Sequence, residues 1–242
     1  MAKGDAYTLG YAAAVCVACS LLLSGTAALL KSKQDFQVEL DRKVNVLKAF
    51  GVATADGQGR ALASAEVEKI FGEHISEVVL DGETGQVLPG LAARDISRDD
   101  LEGKRKLPLF LWKDGDRVTR YAFPISGKGL WSTIYGYLAL DADLSTVIGV
   151  TFYRHGETPG LGAEISTDAF QKQFAGKRVF KDGRLQRIEV VKGAVANRYP
   201  EGSDRAVDGI SGATLTGNGI NRFLNADLEK YEKYFAGLRG GG

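Results

Sequence analysis

The chain has 242 residues, enough for one good-sized domain or two small ones, with 25% charged residues and a formal net charge of +1. Its lysines and arginines are scattered rather than patched, so neither a nucleic-acid reader nor a binder of acidic substrates is indicated. Cys16 and Cys19 both lie in one apolar N-terminal run, which excludes a disulfide framework from the rest, and two histidines, His74 and His155, are too few for a histidine-rich metal or haem site; no metal site is expected.

From Ala6 to Leu30 no residue carries a charge, a run of about 25 that can span a hydrocarbon core of roughly 30 Å. Lys3 and Asp5 precede it, and Lys31 and Lys33 close it. A cleaved signal peptide is the rival reading. The weakly basic start, the length of the run and the lack of a small-x-small site before Lys31 favour an uncleaved anchor. Gly10, Ala14 and Ala18 recur every four residues, and Ser24 and Ala28 repeat the spacing. Such a face suits close packing against partner helices in lipid, or is filler in an isolated anchor. Cys16 and Cys19 read as small packing residues, because two cysteines alone complete neither a zinc nor an iron–sulfur site. By charge count, Lys31 and Lys33 against Lys3 would put the C-terminal side inside.

The helix is predicted to continue through Phe36, Leu40, Val44 and Leu47, one apolar stripe expected to pack as core, and to end at Gly51. Ser64 to Phe71 reads as a short helix with Ser64 as its cap. Glu83 to Arg98 reads as loop, and Leu109-Phe110-Leu111-Trp112 as a short strand before the turn Lys113-Asp114-Gly115-Asp116. No chemistry and no internal repeat are legible there.

Three strand-like runs follow, Val118 to Ile125, Ile134 to Leu140 and Val147 to Tyr153. Asp141-Ala142-Asp143 joins the last two as an antiparallel hairpin. The loop Gly127-Lys128-Gly129-Leu130-Trp131-Ser132 is either a plain turn with a packed indole or, if a flat ligand is present, a source of apolar wall from Leu130 and Trp131. His155-Gly156-Glu157-Thr158-Pro159-Gly160-Leu161-Gly162 holds too many glycines and prolines for regular structure. It follows a strand, where glycines let backbone approach a ligand closely; His155 reads as a surface or loop residue. Asp168 to Phe174 is predicted as a short helix and Ile188 to Val191 as a strand.

Asp208-Gly209-Ile210-Ser211-Gly212-Ala213-Thr214-Leu215-Thr216 then opens a helix expected from about Leu215 to Leu238, with Ile220, Phe223, Leu224, Leu228, Tyr231 and Phe235 on one stripe. Gly240-Gly241-Gly242 reads as a frayed end. A Gly-containing turn at a helix N-terminus favours an anion, so a hydroxyl here could hold a phosphate or be esterified to one; an ordinary unliganded cap has the same spacing. Thr216 is a second acceptor or a cap, and Asp208 a cap of the turn. It is not the phosphate loop of nucleotide hydrolases, because no Lys follows the second Gly at the required place. No acid, base and nucleophile set converges, so no catalytic residue is assigned.

Asp208 to Thr214 resembles the Asp-x-x-Ser/Thr-Gly-Ala-Thr signature of the covalent FMN-binding domain family. The Glu-Thr-Pro-Gly-Leu-Gly loop resembles one shared by two members, the C subunit of the bacterial Na+-translocating NADH:quinone oxidoreductase and the G subunit of the Rnf complex. The stretch from the membrane helix to Lys48-Ala49-Phe50-Gly51, with Gly129-Leu130-Trp131-Ser132, resembles the C subunit. A flavin-free, membrane-anchored interaction module is the rival from another class.

The resemblance implies FMN joined through its phosphate to Thr214 by a flavin transferase, with Asp208 at the transferase-recognition position. It implies a cofactor-binding set of Asp208, Ser211, Gly212, Ala213, Thr214, Leu215 and Thr216 with Leu130, Trp131, Glu157, Thr158 and Leu161. It also implies an α+β fold, a mainly antiparallel sheet with packed helices, on one transmembrane helix: an anchor over 1–33, an extended helix and first part of the soluble domain over 34–111, and the FMN-binding domain over 112–242. The implied role is electron relay in an assembly with the B, D and E subunits, and with A and F, coupling NADH oxidation and quinone reduction to sodium export. The implied location is the inner membrane with the body on the periplasmic side, opposite to the charge count.

Overall fold

The computed structural model describes residues 3–55 and 60–240; Gly241 and Gly242 of the expected frayed end lie outside them. The chain divides into two units, Met1–Arg42 and Lys43–Gly242. The first is the greater part of helix α1 (Lys3–Ala49). Among the described residues it is the one helix long and apolar enough to cross a membrane, and Leu21, Leu22, Leu23 and Leu29 are all exposed on it. Apolar side chains around the whole circumference leave no polar face for water. Cys16 and Cys19 are exposed free thiols there.

The expected stripe is core only at its lower end. Leu47 is fully buried beside Val46, whereas Phe36 is exposed. The helix stops at Ala49, and Gly51 takes a φ of +80°, a left-handed turn that glycine adopts without Cβ strain.

The second unit is α+β. Helix α2 (Ser64–His74) has its cap one residue earlier than predicted: extended Ala63 is the N-cap, and Ser64 is the first helical residue. It runs directly into β1 (Ile75–Asp81), a strand absent from the sequence reading. A 3₁₀ turn at Ala93–Asp95 and helix α3 (Arg98–Glu102) lead to β2 (Lys106–Asp114), which is longer than expected. β3 (Arg117–Lys128), β4 (Thr133–Asp141) and β5 (Val147–Arg154) complete a five-stranded antiparallel meander in chain order. Asp141-Ala142-Asp143 does turn the chain between β4 and β5, with Asp143 Oδ1 accepting the Ser145 and Thr146 amides.

Both faces of this sheet are covered. On one, Trp112 meets Phe50 edge to face, and Phe110 meets Phe71 and Tyr137 in the same way. On the other, Phe123, Ile125, Leu138 and Phe152 form the main core with the last helix. Strands buried on both faces read as continuous apolar runs, as Leu107 to Trp112 does. Pro108 is tolerated because β2 pairs there with β1 alone, and its carbonyl accepts the buried Tyr231 hydroxyl at 2.8 Å.

After β5 the chain is mostly loop: α4 (Asp168–Gln171) with a 3₁₀ turn to Phe174, the hairpin β6 (Phe180–Lys181) and β7 (Arg184–Leu185), and β8 (Glu189–Val190). Helix α5 (Val195–Arg198), then β9 (Ala206–Val207) parallel to β8, lead to α6 (Thr214–Gly240). The six predicted stripe residues of α6 are all buried. Its fit to β3 is tight. A Cβ on Gly127 would lie 2.2 Å from Phe223 Cβ, and one on Gly219 would lie 2.6 Å from the Lys128 carbonyl oxygen. Lys104 and the buried Asp227 form an ion pair across this contact, while Asp227 Oδ2 accepts the Ser126 amide at 2.9 Å.

Candidate functional site

The N-terminus of α6 is fixed from behind by amides and backbone. Asn221 accepts from the Val190 amide at 2.7 Å and donates to its carbonyl at 3.0 Å; Asn225 does the same to Ile188, at 2.9 Å each way. Two asparagines one turn apart thus take the place of a neighbouring strand for β8. The turn before the helix is equally constrained. The Gly209 amide donates to the Gly193 carbonyl, and a Cβ on Gly209 would lie 2.0 Å from the Val191 oxygen. Gly212, at φ +73°, would meet Leu161 Cδ2 at 2.7 Å. Backbone excludes a side chain at Gly209, and the left-handed φ favours glycine at Gly212.

Asp208 caps a different element from the one expected. Its Oδ1 accepts the Val195 amide at 2.6 Å, at the start of α5, and its own amide donates to Gln173 Oε1. The reason is geometric: the preceding β9 lies beside β8, which brings the turn against the loop that opens α5.

Ala213 is buried, and its carbonyl accepts the Gly217 amide at 3.0 Å, the first i→i−4 bond of α6. The amides of Thr214, Leu215 and Thr216 therefore precede the helical ladder at the positive end of the helix dipole. Ser211, Gly212, Thr214 and Leu215 are exposed. Thr216 is not. It is 1% exposed, and its hydroxyl donates to Glu157 Oε2 at 2.6 Å.

Glu157 is the junction of the site. Its carboxylate, in a residue only 5% exposed, also accepts the amides of Leu130 (3.2 Å), Trp131 (3.0 Å) and Ser132 (3.4 Å). Burial pushes its carboxyl upward, but the Thr216 hydroxyl and the three amides outweigh this and hold it below the ordinary glutamate value. The Ser132 hydroxyl returns the tie by accepting the Gly156 amide at 2.6 Å. Glycines make room around the carboxylate: a Cβ on Gly129 would lie 2.7 Å from Glu157 Oε1, and one on Gly162 would lie 2.7 Å from Thr216 Oγ1. Sequence named these two glycines and Ser132 only as members of their loops, and did not single out the asparagine pair. The only signal for Asn221 and Asn225 is their i,i+4 spacing.

The geometry thus brings together Gly129–Ser132 at the tip of the β3–β4 hairpin, Glu157–Gly162 after β5, and the first turn of α6. Leu130, Trp131 (66% exposed), Leu161 (42%) and Leu215 (58%) surround the junction as exposed apolar side chains. Thr158 is exposed, and its carbonyl accepts the Leu161 and Ala163 amides. His155 stays in the loop, its Nδ1 accepting the Glu157 amide at 3.3 Å.

The cavity beneath the turn, lined by Val190, Gly209, Ala213 and Thr214 among others, is about 20 Å³. A groove of about 630 Å³ between α6 and the β3–β4 hairpin includes neither Thr214 nor Glu157. At the shallow face, donor amides, an exposed threonine and an apolar surface coincide. Those features suit a phosphorylated, flat aromatic group held at the surface by a covalent bond.

Residues 129–229 match the family model of the FMN-binding domain. The chain is 38% identical over 231 residues to the C subunit of the Na(+)-translocating NADH-quinone reductase of Yersinia pestis, covering 87% of this chain and 84% of that protein. It is 32% identical over 266 residues to the same subunit of Vibrio vulnificus, covering 100% and 99%. Among solved structures it is similar to the C subunit from Parabacteroides distasonis, with a TM-score of 0.70 at 30% identity over 85% of this chain and 96% of that one. It is also similar to the NqrC structure from Shewanella oneidensis, with a TM-score of 0.69 at 28% identity over 83% of this chain and 97% of that one.

Proposed function

The chain belongs to the family of C subunits of the Na+-translocating NADH-quinone reductases, an oxidoreductase complex, and we propose that it is that complex's membrane-anchored carrier of covalent FMN. The FMN-binding domain match and the C-subunit relatives support the flavoprotein role. The finer reading is that the FMN phosphate is esterified to Thr214 by a flavin transferase. The observation that carries it is the contrast at the start of α6: Thr214 is exposed, while Thr216 is buried with its hydroxyl on Glu157.

FMN, when attached, supplies the redox chemistry. The chain's own residues hold and shape its surroundings. The amides of Thr214, Leu215 and Thr216 offer donors to a phosphate at a helix N-terminus. Gly212 and Gly162 let the turn and the Glu157–Gly162 loop approach each other, and Leu130, Trp131, Leu161 and Leu215 offer apolar surface to a ring. A phosphoester prevents loss of the cofactor, which suits relay rather than reversible binding.

In this reading α1 anchors the protein in the inner membrane and the body lies on the periplasmic side. The partners are the B, D and E subunits with A and F, and the complex exports sodium as it passes electrons from NADH to quinone. The test is reduction of this subunit's flavin by NADH in the assembled complex. Thr214→Ala must abolish that signal while the other subunits still co-purify. A complex in which the signal persists in the variant would refute the reading.

A further inference from the structure

Glu157, expected among the cofactor-binding residues, has four hydrogen-bond donors, and all four are groups of the chain itself. Three are consecutive amides at the hairpin tip, and the fourth is a hydroxyl in the first turn of α6. The tip carries Trp131, which is 66% exposed and makes no ring–ring contact among the described residues. Lys128 Nζ donates to the Trp131 carbonyl at 3.3 Å, and the Gly129 amide to that of Ser132 at 2.8 Å. The backbone that carries this indole is thus tied to the buried carboxylate.

We propose that Glu157 is a positioning residue whose carboxylate clasps the Gly129–Ser132 tip to the first turn of α6, holding the Trp131 indole as a fixed shelf for the planar ring tethered at Thr214. The clasp stands on the hydrogen bonds; the shelf rests on the flavin reading above. A carboxylate suits the position because both oxygens are acceptors and every neighbour is a donor. A glutamine would turn an NH2 group toward at least one of them. The glycines fit the same picture, since a Cβ on Gly129 or Gly162 would intrude on the clasp. An exposed tryptophan on a four-residue hairpin tip would otherwise sample many orientations on the nanosecond scale.

The experiment uses the full chain labelled with 5-fluorotryptophan. The sequence has two tryptophans, so two 19F resonances are expected, assigned with Trp131→Phe. Trp112, packed against Phe50 and His74, reports whether the fold is intact. In unflavinylated protein, Glu157→Ala should lower the Trp131 transverse relaxation rate at least about twofold while leaving Trp112 unchanged, with Glu157→Gln in between. Should Glu157→Ala disturb Trp112, Thr216→Val carries the test, with a smaller change in the same direction. Equal Trp131 relaxation in wild type and variants would overturn the clasp.

In protein co-expressed with a flavin transferase, Trp131→Phe should raise the fluorescence of the attached flavin, and Glu157→Ala should raise it to a similar extent. If Trp131→Phe leaves that fluorescence unchanged, or Glu157→Ala does while Trp131→Phe raises it, the shelf is overturned. Wild type that acquires no flavin refutes the flavin reading and the shelf with it, while the relaxation arm still decides the clasp.

Discussion

The Thr216 hydroxyl donates to Glu157 Oε2 at 2.6 Å, joining residues 59 positions apart, while Thr214 two residues earlier is exposed. One threonine ties the first turn of α6 to the Glu157 loop, and the other is the one proposed to carry the flavin. Thr216→Val should therefore cost about 1–2 kcal/mol, a buried acceptor losing one of its donors. It should leave flavin attachment intact. Urea denaturation reads the first and in-gel flavin fluorescence the second.

The same carboxylate gives a signed pH dependence. Its native pKa lies below the ordinary value of 4.5, so the folded state holds fewer protons than the unfolded one in the window beneath that value. The stability it contributes is fully present above 4.5 and is lost as pH falls through the native pKa. Urea midpoints from about pH 6 down to about pH 3 should fall less steeply in Glu157→Gln than in wild type. Parallel curves would show that Glu157 titrates alike in both states.

Two glycines on α6 should respond in opposite directions. Gly237 would place a Cβ in open space, so Gly237→Ala should stabilise by roughly 0.5–1 kcal/mol. Gly219→Ala would drive a Cβ to 2.6 Å from the Lys128 carbonyl oxygen and should destabilise by about 2 kcal/mol or more. Thermal unfolding of the pair tests whether helix propensity or the closeness of α6 to β3 governs each position.

Orientation is open to direct labelling. Asp116 sits exposed in the β2–β3 turn, so Asp116→Cys in intact cells should react with a membrane-impermeant maleimide that leaves Cys16 and Cys19 unmodified. Labelling only after the inner membrane is broken would place the body inside, as Lys31 and Lys33 suggest by charge count.

Much of the fold was legible because its signals are local. The α6 stripe from Ile220 to Phe235, the β4–β5 hairpin and the apolar run of α1 each follow a periodicity or a turn composition. β1 was missed because it leaves α2 without a break: Ile75 both caps the helix and starts the strand. Ile188 to Val191, which reads as a strand, is a two-residue pairing only, since Asn221 and Asn225 occupy its other side. At the site, sequence could nominate Glu157 but not aim it. Whether a carboxylate faces a ligand or three amides at a hairpin tip 25 to 27 residues away is decided by tertiary contact. The same holds for Asp208, which looked like a cap of its own turn and caps α5 instead.

Covalent attachment at Thr214 is read most simply from the intact mass of the full chain co-expressed with a flavin transferase, beside Thr214→Ala and Thr216→Val. A gain of one FMN less one water is expected in wild type and in Thr216→Val, and none in Thr214→Ala. A gain that survives Thr214→Ala, or that is absent from wild type while the transferase modifies a control substrate, would contradict a flavin carried on Thr214.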